Sequence, residues 1–243
     1  MNSDHTSLLR IPFFTYTHSN CKDVWYPYSS RLSRFAKGIP NTFMVDQQGD
    51  MHSLITYSDT EPYWKEYVRC LSSLGTKYFI YMQEDFILYN KVDTQALIKY
   101  TELLESTTLS FIRLIRTGHV SDIKIADNLY LISERSNGHM YSDCFSMQPT
   151  IWKTEKFIEL YNECKATTFG ERLEYTRAMN KLKINGAYHY SGESARGGHF
   201  DSNVFPYIAT AIIRRKWNYS EYPNELDSVF KEYNIDKNIR GCI

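Results

Sequence analysis

The feature that most constrains this chain is a regular alternation between short apolar-aromatic runs and longer amphipathic runs. Such alternation is typical of α/β domains, in which buried strands alternate with helices that cover the sheet. We predict strands over residues 9–17, 41–45, 78–82, 110–115, 128–132, 142–149 and 187–190. We predict helices over residues 23–36, 61–74, 154–164, 170–182 and 223–233, and a further helix that Asp93 caps at its N-terminus.

The 243 residues show no internal repeat and no break in composition, which predicts a single domain. The alternation is dense up to about residue 105 and looser after it. This pattern predicts a nucleotide-binding half over about 9–105 and a more variable half over 106–243, which would bind an acceptor. The 28 basic and 28 acidic residues balance, so we expect no nucleic acid held by excess basic charge.

The compartment is predicted from what the sequence lacks. No basic segment followed by an apolar stretch opens the chain, and no run approaches the roughly 20 apolar residues that a membrane span needs. The five cysteines are scattered and contain no CxxC pair, so neither a disulfide framework nor a zinc site is indicated. We therefore expect a cytoplasmic protein without a transmembrane segment.

Tyrosine is unusually common, with 20 residues against 13 Phe and 4 Trp. A tyrosine ring offers a flat apolar face and a hydroxyl group, which suits stacking on bases or sugars. Nucleotide bias in a genome accounts for the same excess, and this simpler explanation is preferred.

The sharpest local feature is the segment YFIYMQEDF, in which Glu84 and Asp85 directly follow an apolar strand. Ligands of open α/β sheets bind at the carboxyl ends of the strands, and a carboxylate pair there can hold Mg²⁺ or Mn²⁺. The alternative is that the two acids merely open a surface turn. The same rule about strand ends adds Asp46, which follows the second strand, and residues 15–17, which end the first.

Three further segments carry polar groups that suit a binding site. The loop 191–202 combines glycines with Arg196 and His199, which suits phosphate or metal, although a solvated loop explains it as well. Glu171 and Glu174 share a face at a predicted helix start, where either can act as a general base or simply favour the helix terminus. Trp152 either stacks on a sugar or belongs to the core.

A basic-aromatic cluster, Ile213-Arg214-Arg215-Lys216-Trp217, lies near the end of the chain. It either meets a phosphate or is simply solvated. The chain lacks GxSxG, GxxxxGK[ST], HExxH and GxGxxG, so the reactions that depend on those motifs have no support.

Taken together, TYTHS, YFIYMQEDF, FSMQPTIW, GGHFDS and VFPYIATAIIRRKW resemble the GT-A-fold glycosyltransferases over roughly residues 9–235. The resemblance is to small sugar transferases of bacterial surface-polysaccharide clusters and large DNA viruses. It implies a single GT-A-type, Rossmann-like α/β domain with a mixed central sheet flanked by helices. It also implies transfer of a sugar from a nucleotide-sugar donor to a glycan or glycolipid acceptor, in polysaccharide biosynthesis.

The resemblance implies roles for individual residues. The metal, Mn²⁺ or Mg²⁺, would be held by Asp85, with His199 or Asp201 as further ligands. The donor would contact Thr15, Tyr16, Thr17, Asp46, Glu84 and Arg196, and the acceptor would contact Trp152. Glu171 or Glu174 would be the base of a single, inverting displacement.

Two alternatives remain beside glycosyl transfer. The first is a nucleotidyltransferase on a similar scaffold, which is disfavoured because the segment after the first strand has no glycine before Gly38 and no basic loop. The second is a non-catalytic carbohydrate-binding protein. Gln83 supports it, because the motif reads QED where the family has DxD.

Overall fold

The computed structural model describes residues 11–46, 54–58, 60–117, 123–132, 145–167 and 172–243, without the side chains of residues 172 and 173. A nine-stranded sheet forms the centre, and helices flank it. The helices are α1 (Lys22–Phe35), α2 (Tyr63–Leu74), α3 (Thr94–Ser106), α4 (Thr154–Cys164), α5 (Arg172–Leu182), α6 (Pro223–Tyr233) and α7 (Lys237–Arg240). None of the described helices is long and apolar enough to cross a membrane.

The strands follow one another along the chain as β1 (Phe13–Tyr16), β2 (Asn41–Asp46), β3 (Leu54–Tyr57), β4 (Tyr78–Gln83), β5 (Ile87–Leu88), β6 (Phe111–Arg113), β7 (Lys124–Ala126), β8 (Leu129–Ile132), β9 (Thr150–Lys153), β10 (Gly186–His189), β11 (Ala195–Arg196), β12 (His199–Phe200), β13 (Tyr207–Ile208), β14 (Ile212–Ile213) and β15 (Lys216–Trp217). The central sheet has the order β3-β2-β1-β4-β9-β6-β10-β8-β7. Strands β3, β2, β1 and β4 are mutually parallel, and β9 runs antiparallel between β4 and β6. The fold is therefore one α/β domain with a mixed sheet, as predicted.

The central strands are apolar on both faces because helices or loops cover both sides of the sheet. Phe13, Phe14 and Ile80 are fully buried in the adjacent strands β1 and β4. On one face, α2 packs against α4 and α4 against α5. Much of the tyrosine excess lies there in buried ring contacts, in a cluster of Tyr63, Tyr67, Tyr81, Tyr161 and Tyr175.

Most predicted elements are confirmed with small shifts at their ends, and one is misplaced. The strand predicted over 142–149 is not found in its described part, 145–149, and the strand lies at Thr150–Lys153 instead. The reason is Pro149, which has no N–H to donate to a ladder, so hydrogen-bonded pairing starts after it. The carbonyl of Pro149 still accepts from the N–H of Leu114 at 2.9 Å.

The topology brings many polar residues to one edge of the sheet. The carboxyl ends of β1, β2, β4, β6 and β10 and the beginning of the antiparallel β9 all meet there. Within the described ranges, three small two-stranded ribbons lie outside the central sheet, formed by β5 with β13, β11 with β12, and β14 with β15.

Candidate functional site

A cleft of about 230 Å³ opens where β1 and β4 end, and we call it the carboxylate cleft. Its lining residues are Tyr16, Cys21, Gln83, Glu84, Asp85 and Ile212. Tyr16 and Gln83 are paired neighbours at the ends of the two parallel strands. The two carboxylates follow immediately, in a turn closed by a 3.1 Å bond from the N–H of Phe86 to the carbonyl of Gln83.

Asp85 is held on the floor of this cleft and is 9% exposed. Its Oδ2 accepts a hydrogen bond from the N–H of Ile212 at 3.4 Å, and its carbonyl accepts one from the N–H of Ala211 at 3.2 Å. Burial, followed by the neighbouring charge of Glu84, raises the pKa of Asp85 to about 8. The fold therefore places a carboxyl group where its charge is poorly compensated by the protein.

Glu84 has a similar environment. Burial raises the pKa of Glu84, while the thiol of Cys21, which donates a hydrogen bond to it, acts in the opposite direction. Burial and the charge of Glu84 in turn raise the pKa of Cys21 well above its usual range, so this thiol stays protonated. A bound cation stabilises the charged form of both carboxylates, since opposite charge favours ionisation.

The two carboxylates suit a hard divalent cation whose remaining coordination positions are filled by other ligands. In the part of the chain that the structure describes, no group of three or more His, Cys, Asp or Glu side chains converges on one point. Two adjacent carboxylates nevertheless suit Mg²⁺, which commonly takes one or two carboxylates and completes its shell with phosphate oxygens and water. Glu84 and Asp85 are thus the residues that would hold it.

The predicted additional metal ligands do not join this pair. Asp201 forms an ion pair with Arg196 at 3.3 Å, and the Nε2 of His199 accepts from the Nε2 of Gln148 at 2.9 Å. Both residues lie outside the lining of the carboxylate cleft, although His199 lines another cavity. The prediction that Asp85, His199 and Asp201 bind one metal ion together is therefore corrected, because the fold places the three side chains in separate hydrogen-bonding environments.

Asp46 lies at the predicted edge but its oxygens are engaged by the loop after β1. It accepts from the N–H of Ser19 at 3.0 Å and from the hydroxyl of Ser19 at 2.5 Å, and the Nε2 of His18 lies 3.4 Å away. The residue is 5% exposed. Asp46 therefore fixes the path of residues 18–19, and its contact with a nucleobase stays a prediction.

Of the three predicted residues at the end of the first strand, only Tyr16 reaches the cleft. Thr15 is fully buried, donating to Asn41 at 2.8 Å and accepting from the hydroxyl of Tyr28 at 2.7 Å. Thr17 is also fully buried and accepts from the indole N–H of Trp25 at 2.6 Å. The prediction that the two threonine side chains contact the sugar donor is therefore corrected. Both side chains lie in the core and hold the strand end in place.

Arg196 is occupied by carboxylates. It donates to Glu225 at 2.6 Å, lies 3.3 Å from Asp201, and stacks over the ring of Tyr222 at 4.7 Å. Its charge is thus more than balanced within the protein, which corrects its expected role as the cation for a donor diphosphate. It lines a second cleft of about 310 Å³ together with Gly197, Gly198, His199, Ile213 and Tyr222.

Trp152 is a core residue, as the alternative interpretation held. It is 2% exposed, and its ring lies 4.3 Å from that of Phe111 and 5.0 Å from that of Phe157. The prediction that Trp152 stacks on the acceptor is therefore corrected, because its ring is buried. Glu174 forms a 3.9 Å ion pair with Arg177 on α5 and does not line either cleft, and Glu171 lies outside the described residues.

Sequence reasoning missed two features of this region. Cys21 lines the carboxylate cleft and touches Glu84, a contact that no spacing rule indicates because 63 residues separate them. Gln148 joins two segments by accepting from the hydroxyl of Tyr207 and donating to His199. It lies inside the QPTIW segment, which was the only available signal.

Comparisons with known proteins concern the fold. No protein-family model matches the chain, and no curated protein matches its sequence. A structure of CMP:2-keto-3-deoxy-manno-octonic acid synthetase complexed with CTP is 10% identical, with a TM-score of 0.47, over 73% of this chain and 88% of that one. A cytidylyltransferase from Leptospira borgpetersenii serovar Hardjo-bovis is 10% identical, with a TM-score of 0.49, over 95% and 98%.

The bifunctional IspDF from Campylobacter jejuni is 12% identical, with a TM-score of 0.45, over 76% of this chain. The match covers only 51% of that protein. At such identities the similarity concerns the course of the chain and assigns no role to a residue. None of these three proteins is described as a glycosyltransferase; one is described as a synthetase complexed with CTP and another as a cytidylyltransferase.

The main functional prediction, sugar transfer from a nucleotide-sugar donor, finds no counterpart among these structures and is withdrawn. The expected glycan acceptor, manganese and polysaccharide synthesis likewise have no support in them.

Proposed function

We propose that this protein is a nucleotidyltransferase that binds a nucleoside triphosphate, together with a divalent cation, in the carboxylate cleft. The observation that carries the proposal is the pair Glu84 and Asp85, two carboxylates with raised pKa values at the end of a central parallel strand. The carboxyl end of such a strand is where open α/β sheets bind their ligands. The pair and its position together favour a phosphate-bearing ligand.

The physical argument rests on charge. Two carboxylates in a partly dehydrated cleft repel each other, and at neutral pH Asp85 holds a proton in the absence of a cation. A divalent cation would balance the pair and would draw negative phosphate oxygens to the remaining coordination positions. A nucleoside without phosphates has no group that a metal ion on these carboxylates would bind, whereas a triphosphate has such groups.

The chain's own residues would then position the substrate. The loop after β1, fixed by the bonds from Ser19 to Asp46, forms one wall, and Tyr16 presents a partly exposed ring beside it. We place the nucleoside along this wall, with the phosphates directed toward Asp85. The buried threonines Thr15 and Thr17 hold the strand end in place through their side-chain bonds.

The reaction balances without a further reagent. The oxygen of an acceptor hydroxyl attacks the α-phosphorus and forms a new P–O bond, and the proton of that hydroxyl passes to water or to the departing diphosphate. The bond between the α-phosphorus and the bridging oxygen breaks, and the diphosphate leaves with that electron pair. The protein's contribution is alignment and charge stabilisation, which are the main sources of rate in phosphoryl chemistry.

The test is binding and turnover with CTP, UTP, ATP and GTP, each with Mg²⁺ or Mn²⁺, with and without a panel of hydroxylated acceptors. We expect metal-dependent binding of at least one triphosphate and release of diphosphate when its acceptor is present. Asp85→Asn should abolish both. The matched control is Asp127→Asn, which neutralises a carboxylate that is 88% exposed in a surface turn.

The proposal fails if no triphosphate binds to the wild-type protein in the presence of either metal. It also fails if binding is unaffected by Asp85→Asn. Binding without diphosphate release from any acceptor would instead reduce the protein to a nucleotide-binding role.

A further inference from the structure

A triphosphate in the carboxylate cleft needs cations that the predicted residues do not supply. A divalent cation held by Glu84 and Asp85 would be balanced by them, so the negative charge of the phosphates would have to be met by other groups. The loop after β1, residues 17–21, contains neither lysine nor arginine. His18 in that loop accepts from the N–H of Asn20 at 3.0 Å and faces Asp46.

Two arginines near the clefts are already paired. Arg196 is bound by Glu225 and Asp201. Arg240 forms two bonds to Asp23, at 3.0 and 2.5 Å. Neither side chain can meet a phosphate without giving up a carboxylate partner.

The hairpin formed by β14 and β15 carries basic side chains in a different setting. It pairs Ile212 with Trp217 and Ile213 with Lys216, which leaves Arg214 and Arg215 as a two-residue turn. The side chains of Arg214, Arg215 and Lys216 are exposed, and among the described residues they form no ion pair.

This hairpin is attached directly to the carboxylate cleft. Ile212 lines the cleft, and its N–H bonds the side chain of Asp85. The turn begins two strand residues further on, a distance of about 7 Å. Long side chains that start there can extend over phosphates bound at Asp85.

The backbone of the turn is a second, independent observation. Arg214 has φ 49° and Arg215 has φ 68°, so two consecutive arginines lie in the left-handed region. Two-residue hairpin turns of this kind strongly prefer Asn-Gly, because other residues are strained there. Strain of this sort costs free energy and persists only where the surrounding structure holds it. A bond of 3.1 Å from Arg240 to the carbonyl of Arg215 holds the turn in place.

We propose that Arg214, Arg215 and Lys216 form a phosphate-binding hairpin that contacts the β- and γ-phosphates of the triphosphate and stabilises the departing diphosphate. This inference rests on the proposed function and deepens it. It assigns the role of the missing basic loop after the first strand to a hairpin that lies about 195 residues later in the chain.

The test uses a double substitution, Arg214→Asn with Arg215→Gly, that removes both charges while favouring the same turn. The matched control is Lys183→Gly, which removes one exposed charge at a residue that also has a positive φ, 53°. Calorimetric dissociation constants are measured for the triphosphate and the monophosphate of the nucleoside that wild-type protein binds, in the presence of Mg²⁺. Thermal unfolding verifies that each variant is folded.

We expect the double variant to bind the triphosphate on the order of 100-fold more weakly, since each lost charged contact corresponds to about a tenfold change. Monophosphate affinity should change by less than about twofold. The lysine-bearing variant, Arg214→Lys with Arg215→Lys, should keep most of the triphosphate affinity, and Lys183→Gly should match wild type.

Unchanged triphosphate affinity in the double variant would overturn this inference and leave the proposed function standing. An equal loss for monophosphate and triphosphate would also overturn it, because the hairpin would then act on the cleft as a whole. If wild-type protein binds no triphosphate at all, the proposed function itself fails, and this inference fails with it.

Discussion

Replacing Asp85 by asparagine tests the electrostatics of the carboxylate cleft through stability as well as through binding. Asparagine keeps the shape of the side chain and an oxygen that accepts from the N–H of Ile212. It removes a group whose ionised form is disfavoured by burial and by Glu84. Without a metal ion, the substitution should therefore stabilise the folded protein wherever the wild-type carboxyl group is forced to ionise.

The pH window follows from the two pKa values of Asp85. The folded-state pKa is about 8, against 3.8 for the free side chain, so between these values the folded protein binds more protons than the unfolded chain. Wild-type stability contributed by this group should therefore fall as pH rises from about 4 to about 8 and stay level above that. The Asp85→Asn variant lacks this slope.

The magnitude follows from the same shift. At about 1.4 kcal/mol per pKa unit, the complete shift from 3.8 to about 8 sets an upper limit of about 6 kcal/mol. Water that enters the open cleft and the proton shared with Glu84 reduce this, so we expect Asp85→Asn to stabilise by about 2–3 kcal/mol at pH 8.5. At pH 4 the two proteins should be equally stable within about 0.5 kcal/mol.

Urea denaturation, followed by tryptophan fluorescence at pH 4 and pH 8.5, measures this difference. An m-value of about 3 kcal/mol/M converts the expected gain into a midpoint shift of about 1 M at the higher pH. Adding Mg²⁺ at pH 8.5 should raise the midpoint of wild type and leave that of the variant unchanged, because ligand binding stabilises only the state that binds it. A variant that is less stable than wild type at pH 8.5 would refute the reasoning.

Three substitutions elsewhere test packing and backbone conformation by urea denaturation. Gly186→Ala should cost about 1–3 kcal/mol, because a Cβ there would lie 2.3 Å from the ring of Phe111, and an unchanged midpoint would show that the ring moves freely. Trp152→Ala should cost about 3–5 kcal/mol, as expected for a core residue; a cost below about 1 kcal/mol would contradict that placement. Arg214→Asn with Arg215→Gly should raise stability by about 1–2 kcal/mol through relief of turn strain, and a loss of stability would show that the arginines support the fold.

Local patterns in the sequence were sufficient to predict most of the individual helices and strands. The apolar spacing located α4 and α6 at their observed bounds, and Asp93 caps α3 through a 3.0 Å bond from the N–H of Ala96 to its Oδ1. The carboxylates after β4 were also found from the sequence, because an apolar strand followed by charged residues marks a strand end. These signals depend on residues that are close together in the chain.

The misplaced strand over 142–149 contained its own local signal, because Pro149 cannot donate to a ladder. The site predictions that failed depended instead on partners far away in the chain, since the sheet inserts β9 antiparallel between β4 and β6. Trp152 is thereby packed against Phe111 rather than exposed at an edge. The spacing of residues within either segment contains no information on that pairing.

The sequence by itself determined that the chain alternates buried strands with covering helices, and that acidic residues end the central strand. Only the tertiary structure decided which charges remain available for a ligand. The charge of Arg196 is neutralised by Glu225, 29 residues later in the chain. Arg214 and Arg215, by contrast, have no carboxylate partner within the described ranges of the chain. Coulombic pairing depends on distance in space rather than along the chain, so the same residue types become neutralised in one loop and available in another.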